Sequence, residues 1–295
     1  MTWTWRMRGH TLVFDRPLVM GIVNVTPDSF SDGGLFLDRD RAIEHGIRLL
    51  EEGADLLDVG GESTRPGAGP VPVDEELARV IPVIEGLVAR GALVSVDTTK
   101  PMVARSALDA GAEIVNDVGG LGTEEMRHVV ASAGAGAVVM HMQGTPATMQ
   151  LDPHYDDVVD DIVDLLAARL ELAVEAGCLR ETLVVDPGIG FGKTLEHNLT
   201  LCNRIRSFEV LGRPILIGTS RKRFLGTITG VEEAAHRDGS TAVSLALAVE
   251  RGAAVVRAHN VMRTREALAV ALAIVNERVV DFDRSLTVEP HQHTT

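Results

Sequence analysis

Residues 18–34 read LVMGIVNVTPDSFSDGG. The first eight, LVMGIVNV, are almost unbroken in apolar character, which suits a parallel strand buried on both faces; a half-exposed antiparallel strand would alternate with polar residues. The run ends by delivering an amide, Asn24, and then becomes a polar, glycine-punctuated loop. A strand that only fills a core has no use for that amide.

Seven further runs repeat the pattern: ADLLDVGG (54–61), ALVSVD (92–97), EIVNDV (113–118), AVVMHM (137–142), TLVVDPG (182–188), PILIGTS (214–220) and AVVRAH (254–259). Helical patterns lie between them. In RAIEHGIRLLEEGA the residues Ile43, Ile47 and Leu50 line one helix face, as do Leu77, Val80, Ile81 and Ile84 in VDEELARVIPVIEGLVARG, with Pro82 expected to kink the latter. KPMVARSALDAGA places Pro101 in a first turn, and VVDDIVDLLAARLELAVEAG and TREALAVALAIVNERV complete the series. Eight strand–helix units predict an α/β fold of the (β/α)8 TIM barrel type, in one domain over residues 1–280. An open doubly wound sheet is the alternative, but it has fewer strands and a nucleotide loop after the first. Residues 1–16 are placed at the barrel bottom as a plug or edge, and the polar tail 281–295 is expected to be disordered.

The strand tips carry Asn24, Asp58 with Glu62, Asp97, Asn116 with Asp117, Met140 with His141, Asp186, Ser220 with Lys222, and Arg257 with His259. In a barrel all tips meet at the face where active sites are built. Singly, each could cap a helix or satisfy a loop amide. Together, two carboxylates and two amides complement a neutral, donor-rich nitrogen heterocycle, because carboxylates accept paired N–H bonds and amides both accept and donate. Arg65, Arg221, Arg257 and His259 gather positive charge for a phosphate or pyrophosphate, with a surface salt bridge as the alternative for Arg221. Met140 and Met142 bracket His141 at strand spacing, as a floor for a flat ligand or as core.

Other motifs carry less. DPGIGFGKT has Pro187 where a phosphate-loop glycine is required. His128, His154, His197 and His236 have no partners at metal spacing, and no acyl-transfer motif is present. The net charge of −14 disfavours nucleic acid and anionic membranes. No long apolar run is present, so neither a membrane-spanning helix nor a signal peptide is expected. Cys178 and Cys202 lack disulfide or metal spacing, which fits a reducing cytoplasm.

GIVNVTPDSFSDGG from Gly21, DVGGESTRPGA from Asp58, VSVDT ending at Thr98, VNDVGG from Val115, VVMHMQGTP from Val138, DPGIGFGKT from Asp186 and GTSRKRFLG from Gly218 closely resemble the dihydropteroate synthases of folate biosynthesis. The resemblance covers about residues 18–275. It implies a (β/α)8 barrel, homodimeric and cytoplasmic, that joins 4-aminobenzoate to 6-hydroxymethyl-7,8-dihydropterin diphosphate with loss of pyrophosphate and with Mg²⁺. Asp97, Asn116, Asp186 and Lys222 resemble the pterin pocket, with Met140 as apolar neighbour and Arg257 over the ring. Asn24 resembles the magnesium-linked residue, and Arg65, Arg257 and His259 the diphosphate contacts. Thr64, Pro66, Phe191, Ser220 and Lys222 resemble the site for 4-aminobenzoate and sulfonamides. Asp97, Asp186, Lys222 and Arg257 are thereby expected to carry catalysis. One departure is Asn260: the family usually reads RVHDV where this chain reads RAHNV, and a lost carboxylate bears on the support of His259.

Two competing readings stay open. Lys222 could be the nucleophile of a Schiff-base aldolase, although a polar SRKR segment is a poor place to desolvate an amine and lower its pKa. A non-catalytic paralogue could bind pterin without turnover, with Asn260 as its support. The loop 26–34 reads as a lid, held by Pro27 at its exit and freed by Gly33 and Gly34.

Overall fold

The computed structural model describes residues 2–26, 35–63, 69–282 and 286–290. The chain opens with β1 (Trp3–Arg6) and β2 (His10–Phe14), an antiparallel hairpin whose turn is closed by a bond from the Met7 N–H to the His10 carbonyl at 2.8 Å. Eight parallel strands follow at the expected runs: β3 (Leu18–Asn24), β4 (Leu56–Gly60), β5 (Val94–Asp97), β6 (Ile114–Asp117), β7 (Gly136–Met140), β8 (Leu183–Asp186), β9 (Leu216–Ile217) and β10 (Val255–Ala258). They pair in the order β8-β7-β6-β5-β4-β3-β10-β9. The circle closes between β8 and β9 through one parallel bridge, Val185 to Ile215, and a bond from the Val185 N–H to the Pro214 carbonyl at 3.0 Å. Arg213 crosses this seam lower down, where its Nε donates to the Leu183 carbonyl at 2.8 Å. The predicted (β/α)8 barrel is the fold found.

Helices α1 (Leu35–Glu51), α2 (Val73–Val88), α3 (Pro101–Asp109), α4 (Glu124–Ala133), α5 (Val158–Glu175), α6 (Leu195–Asn203), α7 (Arg223–Thr229), α8 (Asp238–Glu250) and α9 (Val261–Asn276) fill the connections. Pro101 opens α3 as read, and Pro82 lies inside α2. The Thr123, Asp157 and Thr194 side chains cap α4, α5 and α6, and a left-handed Gly134 ends α4. His197 belongs to the Thr194 capping box rather than to a metal site.

The tail is not wholly disordered as expected. Residues 286–290 form β11 (Leu286–Pro290), antiparallel to β2. Main-chain bonds to an open strand edge need little side-chain signal, which is why a polar tail concealed a strand. The hairpin and β11 make a three-stranded sheet.

Strand side chains alternate, and the alternation sorts the core in two. Val19, Val23, Leu57, Val59, Val94 and Val96 face outward into a cluster shared with the helices. Leu18, Met20, Leu56, Ile114, Val138, Val184, Leu216 and Val255 face inward and pack with Trp5, Met7, Leu12 and Phe14 of the hairpin. The N-terminal hairpin is therefore a plug beneath the barrel. Two residues further along the inward face of the same strands come Asp58, Asn116, Met140, Asp186 and Arg257. The apolar floor and the polar layer above it are consecutive turns of one period-2 pattern.

Candidate active site

The polar layer is a linked network. Asp58 on β4 accepts from Asn116 Nδ2 on β6 at 2.8 Å and from Arg257 Nε on β10 at 2.6 Å. Arg257 Nη2 also donates to Asp97 Oδ2 on β5 at 2.8 Å. One guanidinium thus faces two carboxylates, an arrangement planar Arg serves better than Lys. Burial raises the Asp97 pKa from 3.8 to about 7, against the opposing pull of Arg257. Burial also raises the pKa of Asp186, with Lys222 and the Gly188 N–H working the other way. Carboxylates whose pKa burial raises in this way, gathered at one end of a barrel, mark a functional site.

Asp186 leads into DPGIGFGKT, which folds back over the barrel mouth. Its Oδ1 accepts from the Gly188 N–H at 2.7 Å. Gly188 has φ +69, and a Cβ there would lie 1.9 Å from the His141 carbonyl oxygen, so only glycine fits. Lys193, buried beneath the loop, donates to the Phe191 carbonyl at 2.8 Å and meets His141 Nδ1 at 3.0 Å. Burial drives Lys193 well below the usual lysine pKa and lowers His141 to about 3, so the imidazole is neutral and can accept. Phe191 presents its ring to Lys222, whose Nζ stands 4.6 Å from the ring centroid and donates to the Ile189 carbonyl. Burial lowers Lys222 to about 8, opposed by Asp186. This corrects the sequence reading that the SRKR segment leaves this amine undesolvated: the loop after β8 covers it.

On the other flank, Asn24, Ser220 and His259 come together. His259 Nδ1 lies 2.8 Å from Ser220 Oγ, and its Nε2 lies 3.4 Å from Asn24 Nδ2. Ser220 Oγ also accepts from the His259 N–H at 3.1 Å, which locks the strand ends of β9 and β10 together. Met140 is buried at the tip of β7. Thr64, Arg65 and Pro66, and nearly all of the proposed lid, lie outside the described residues.

The residues 20–259 match the family model described as pterin binding enzyme. Dihydropteroate synthase of Escherichia coli strain K12 is 42% identical over 272 residues, which cover 92% of this chain and 96% of that protein. The chain belongs to the dihydropteroate synthase family. The solved Xanthomonas albilineans dihydropteroate synthase with 4-aminobenzoic acid is 49% identical with TM-score 0.85, over 90% of this chain and 95% of that one. The Burkholderia cenocepacia dihydropteroate synthase complexed with 7,8-dihydropteroate is 44% identical with TM-score 0.85, over 94% and 98%.

Within this dihydropteroate synthase framework, Asn116, Asp97, Asp186, Lys222 and Arg257 converge at the top of the barrel, linked by hydrogen bonds or by charge, with Phe191 against Lys222 and Met140 two residues along the inward face of β7 from Val138. Arg221 does not join them. Its guanidinium pairs side-on with Asp238 at 2.7 and 3.0 Å, the salt bridge that was its alternative, and its backbone sits at φ +57. Arg257 spends two donors on carboxylates, so the mouth is less cationic than its arginine count suggests. Asn260 caps α9 through an Oδ1 contact with the Arg263 N–H at 3.0 Å, and its Nδ2 donates to Asp238 at 2.9 Å. The His259 ring is held by Ser220, while Asp238 is a carboxylate whose charge reaches it. Sequence reading missed the Lys193–His141 pair and assigned no role to Asp58. The signal for Asp58 was its spacing: it falls two residues after an inward Leu56. Among the described residues no cluster of His, Cys, Asp or Glu could by itself hold a metal.

Proposed function

We propose that the chain condenses 6-hydroxymethyl-7,8-dihydropterin diphosphate with 4-aminobenzoate to give 7,8-dihydropteroate and pyrophosphate. The carrying observation is the buried layer of Asp97, Asn116 and Asp186, an acceptor-rich edge between Arg257 and Lys222, matched to the N–H donors of a pterin. Reaction breaks the bond between the pterin CH₂ and the diphosphate oxygen, forms the C–N bond from the aniline nitrogen, and releases its proton. Positive charge grows on the ring as diphosphate departs. Asp97 and Asp186, fixed before reaction, stabilise that charge without reorganising. The aniline nitrogen needs no strong base, which accords with a neutral His141 engaged by Lys193. Phe191, whose ring lies against Lys222, would flank the aminobenzoate ring, the place a sulfonamide would compete for.

Asn24 fits a Mg²⁺ held mainly by diphosphate oxygens and water, because that ion takes hard oxygen ligands and keeps much of its hydration. Its amide faces His259 at the mouth. Mg²⁺ would supply charge neutralisation on the leaving diphosphate. We further propose a homodimer in the cytoplasm: Val243, Leu247, Val270 and Ile274 of α8 and α9 are 62, 50, 61 and 72% exposed and line one surface groove, an apolar face of the kind a second copy covers.

Release of pyrophosphate from the purified chain, requiring both substrates and Mg²⁺ and abolished by chelation, is the expected result. Pterin diphosphate binding without release would make the chain a binding paralogue. The low pKa of Lys222 lends weight to the aldolase reading, and borohydride trapping of a carbonyl substrate on Lys222 would establish it instead.

A further inference from the structure

We infer that Asp58 is the positioning residue of the pocket: it sets which face of the Asn116 amide meets the ligand and holds Arg257 in register with Asp97. The inference rests on reading the pocket as a pterin site and concerns a residue the ligand does not touch.

Asp58 is wholly buried, with 0% of its surface exposed. Its strand, β4, pairs with β3 and β5, yet its carboxylate reaches past each neighbour to the strand beyond, β10 on one side and β6 on the other. Both contacts fall on a single oxygen, Oδ2. Oδ1 has no hydrogen-bond partner among the described residues, and neither does the buried Oγ of Ser95, its register partner on β5. Both hydrogen-bond partners of Asp58 are residues of the pocket. What it does is restrict two residues of the site.

An amide can offer a pocket either its oxygen or its NH₂. A carboxylate ion-paired with Arg257 only accepts, so Asn116 must turn its Nδ2 to Asp58, which leaves its Oδ1 as the atom for the ligand. With Asp97 and Asp186 beside it, the edge between Arg257 and Lys222 then presents acceptors and selects a heterocycle edge made of N–H donors. The same oxygen takes Arg257 Nε while Asp97 takes Nη2, which fixes the plane of the guanidinium through two carboxylates on adjacent strands.

The Asp58→Asn variant removes the constraint at constant size, because its own amide can donate as well as accept. Binding of 6-hydroxymethyl-7,8-dihydropterin diphosphate, measured by calorimetry without 4-aminobenzoate, should weaken about 10- to 100-fold, the scale of a lost hydrogen bond to a charged group. The KM for 4-aminobenzoate should stay within about twofold. The double variant Asp58→Asn with Asn116→Asp restores a donor–acceptor pair of the same net charge and should recover most of the lost affinity. Unchanged pterin affinity, an equal rise in both KM values, or no recovery in the double variant would overturn the proposal. The Asn116 side-chain NH₂ in the ligand-free protein gives a second readout by ¹H–¹⁵N NMR: it should exchange slowly in wild type and lose that protection in Asp58→Asn. If that variant fails to fold, wild type alone decides, since an Asn116 amide exchanging as fast as the exposed Asn203 would sink the idea. A protected amide in a protein that binds no pterin would count against the pterin reading and leave the positioning role standing.

Discussion

The two ends of the barrel interior are built from the same strands and differ in almost everything else. At the bottom, Leu18, Met20, Leu56, Ile114 and Val184 close on the hairpin through Trp5 and Phe14. At the top, the next inward positions are Asp58, Asn116 and Asp186. One end is apolar and sealed, and the other is a network of buried charge in which burial raises the pKa of Asp97 and Asp186. Stability and chemistry are thus separated along the strand axis, over a distance of two residues per strand. That separation is how a barrel can hold several uncomfortable groups together without unfolding.

The largest expected effect tests the sealed end. Trp5 is fully buried and its Nε1 donates to the Thr182 carbonyl at 3.0 Å, so Trp5→Ala should cost about 3–5 kcal/mol of stability. Thermal denaturation should show the loss, while kcat at a temperature where the variant is folded stays near wild type; a large fall in kcat there would break the division. The opposite pattern is expected of Asp97→Asn, with turnover down about 10²- to 10³-fold, or about 2.7–4 kcal/mol in the barrier, and the fold intact by circular dichroism. Wild-type turnover would remove Asp97 from its role.

The pH response sharpens the same contrast. Because the Asp97 pKa rises from 3.8 to about 7 in the folded protein, its contribution to stability is fully present below pH 4 and is lost as pH rises through 7. The stability of Asp97→Asn relative to wild type should therefore grow between pH 4 and 8, and wild-type kcat/KM should fall as pH drops below about 7. Urea titrations at several pH values and a pH–rate profile check both; a flat difference would mean the carboxylate is not strained. The smallest effect belongs to Asn260→Asp, which keeps the helix cap but loses the donor to Asp238 at 2.9 Å. It should cost about 1 kcal/mol and leave kcat unchanged, and a marked fall in kcat would tie residue 260 to His259 after all.

Much of this was legible in the sequence because period and burial are local properties. Eight apolar runs with polar tips specify a parallel barrel, and Asn24, Asp97, Asn116, Asp186, Ser220, Arg257 and His259 are where their runs placed them. The roles that escaped are those made by non-neighbouring strands. Asp58 is one carboxylate among eight tips until Asn116 and Arg257 arrive 58 and 199 residues away. The burial of Lys222 depends on a loop from β8 closing over it, and a polar segment gives no sign of that. Helices α4, α6, α7 and α8 also carried weak patterns, being short or, in DGSTAVSLALAVE, small and apolar on most sides. The strand Leu286–Pro290 owes its place to an open edge on β2.

The seam between β8 and β9 has a consequence for how the barrel breathes. Where the other strands share ladders, these two share one bridge, and the wall is bound instead by two cations, Arg213 on the Leu183 carbonyl below and Lys222 on the Ile189 carbonyl above. The upper tie is a residue with a second task. A ligand that recruits Lys222 takes away one of the two clasps at the weakest joint, and a ligand that bridges Asp186 to Lys222 replaces it. Amide hydrogen exchange along residues 183–189 should therefore report occupancy of the pocket, with the weakest joint of the barrel acting as its gauge.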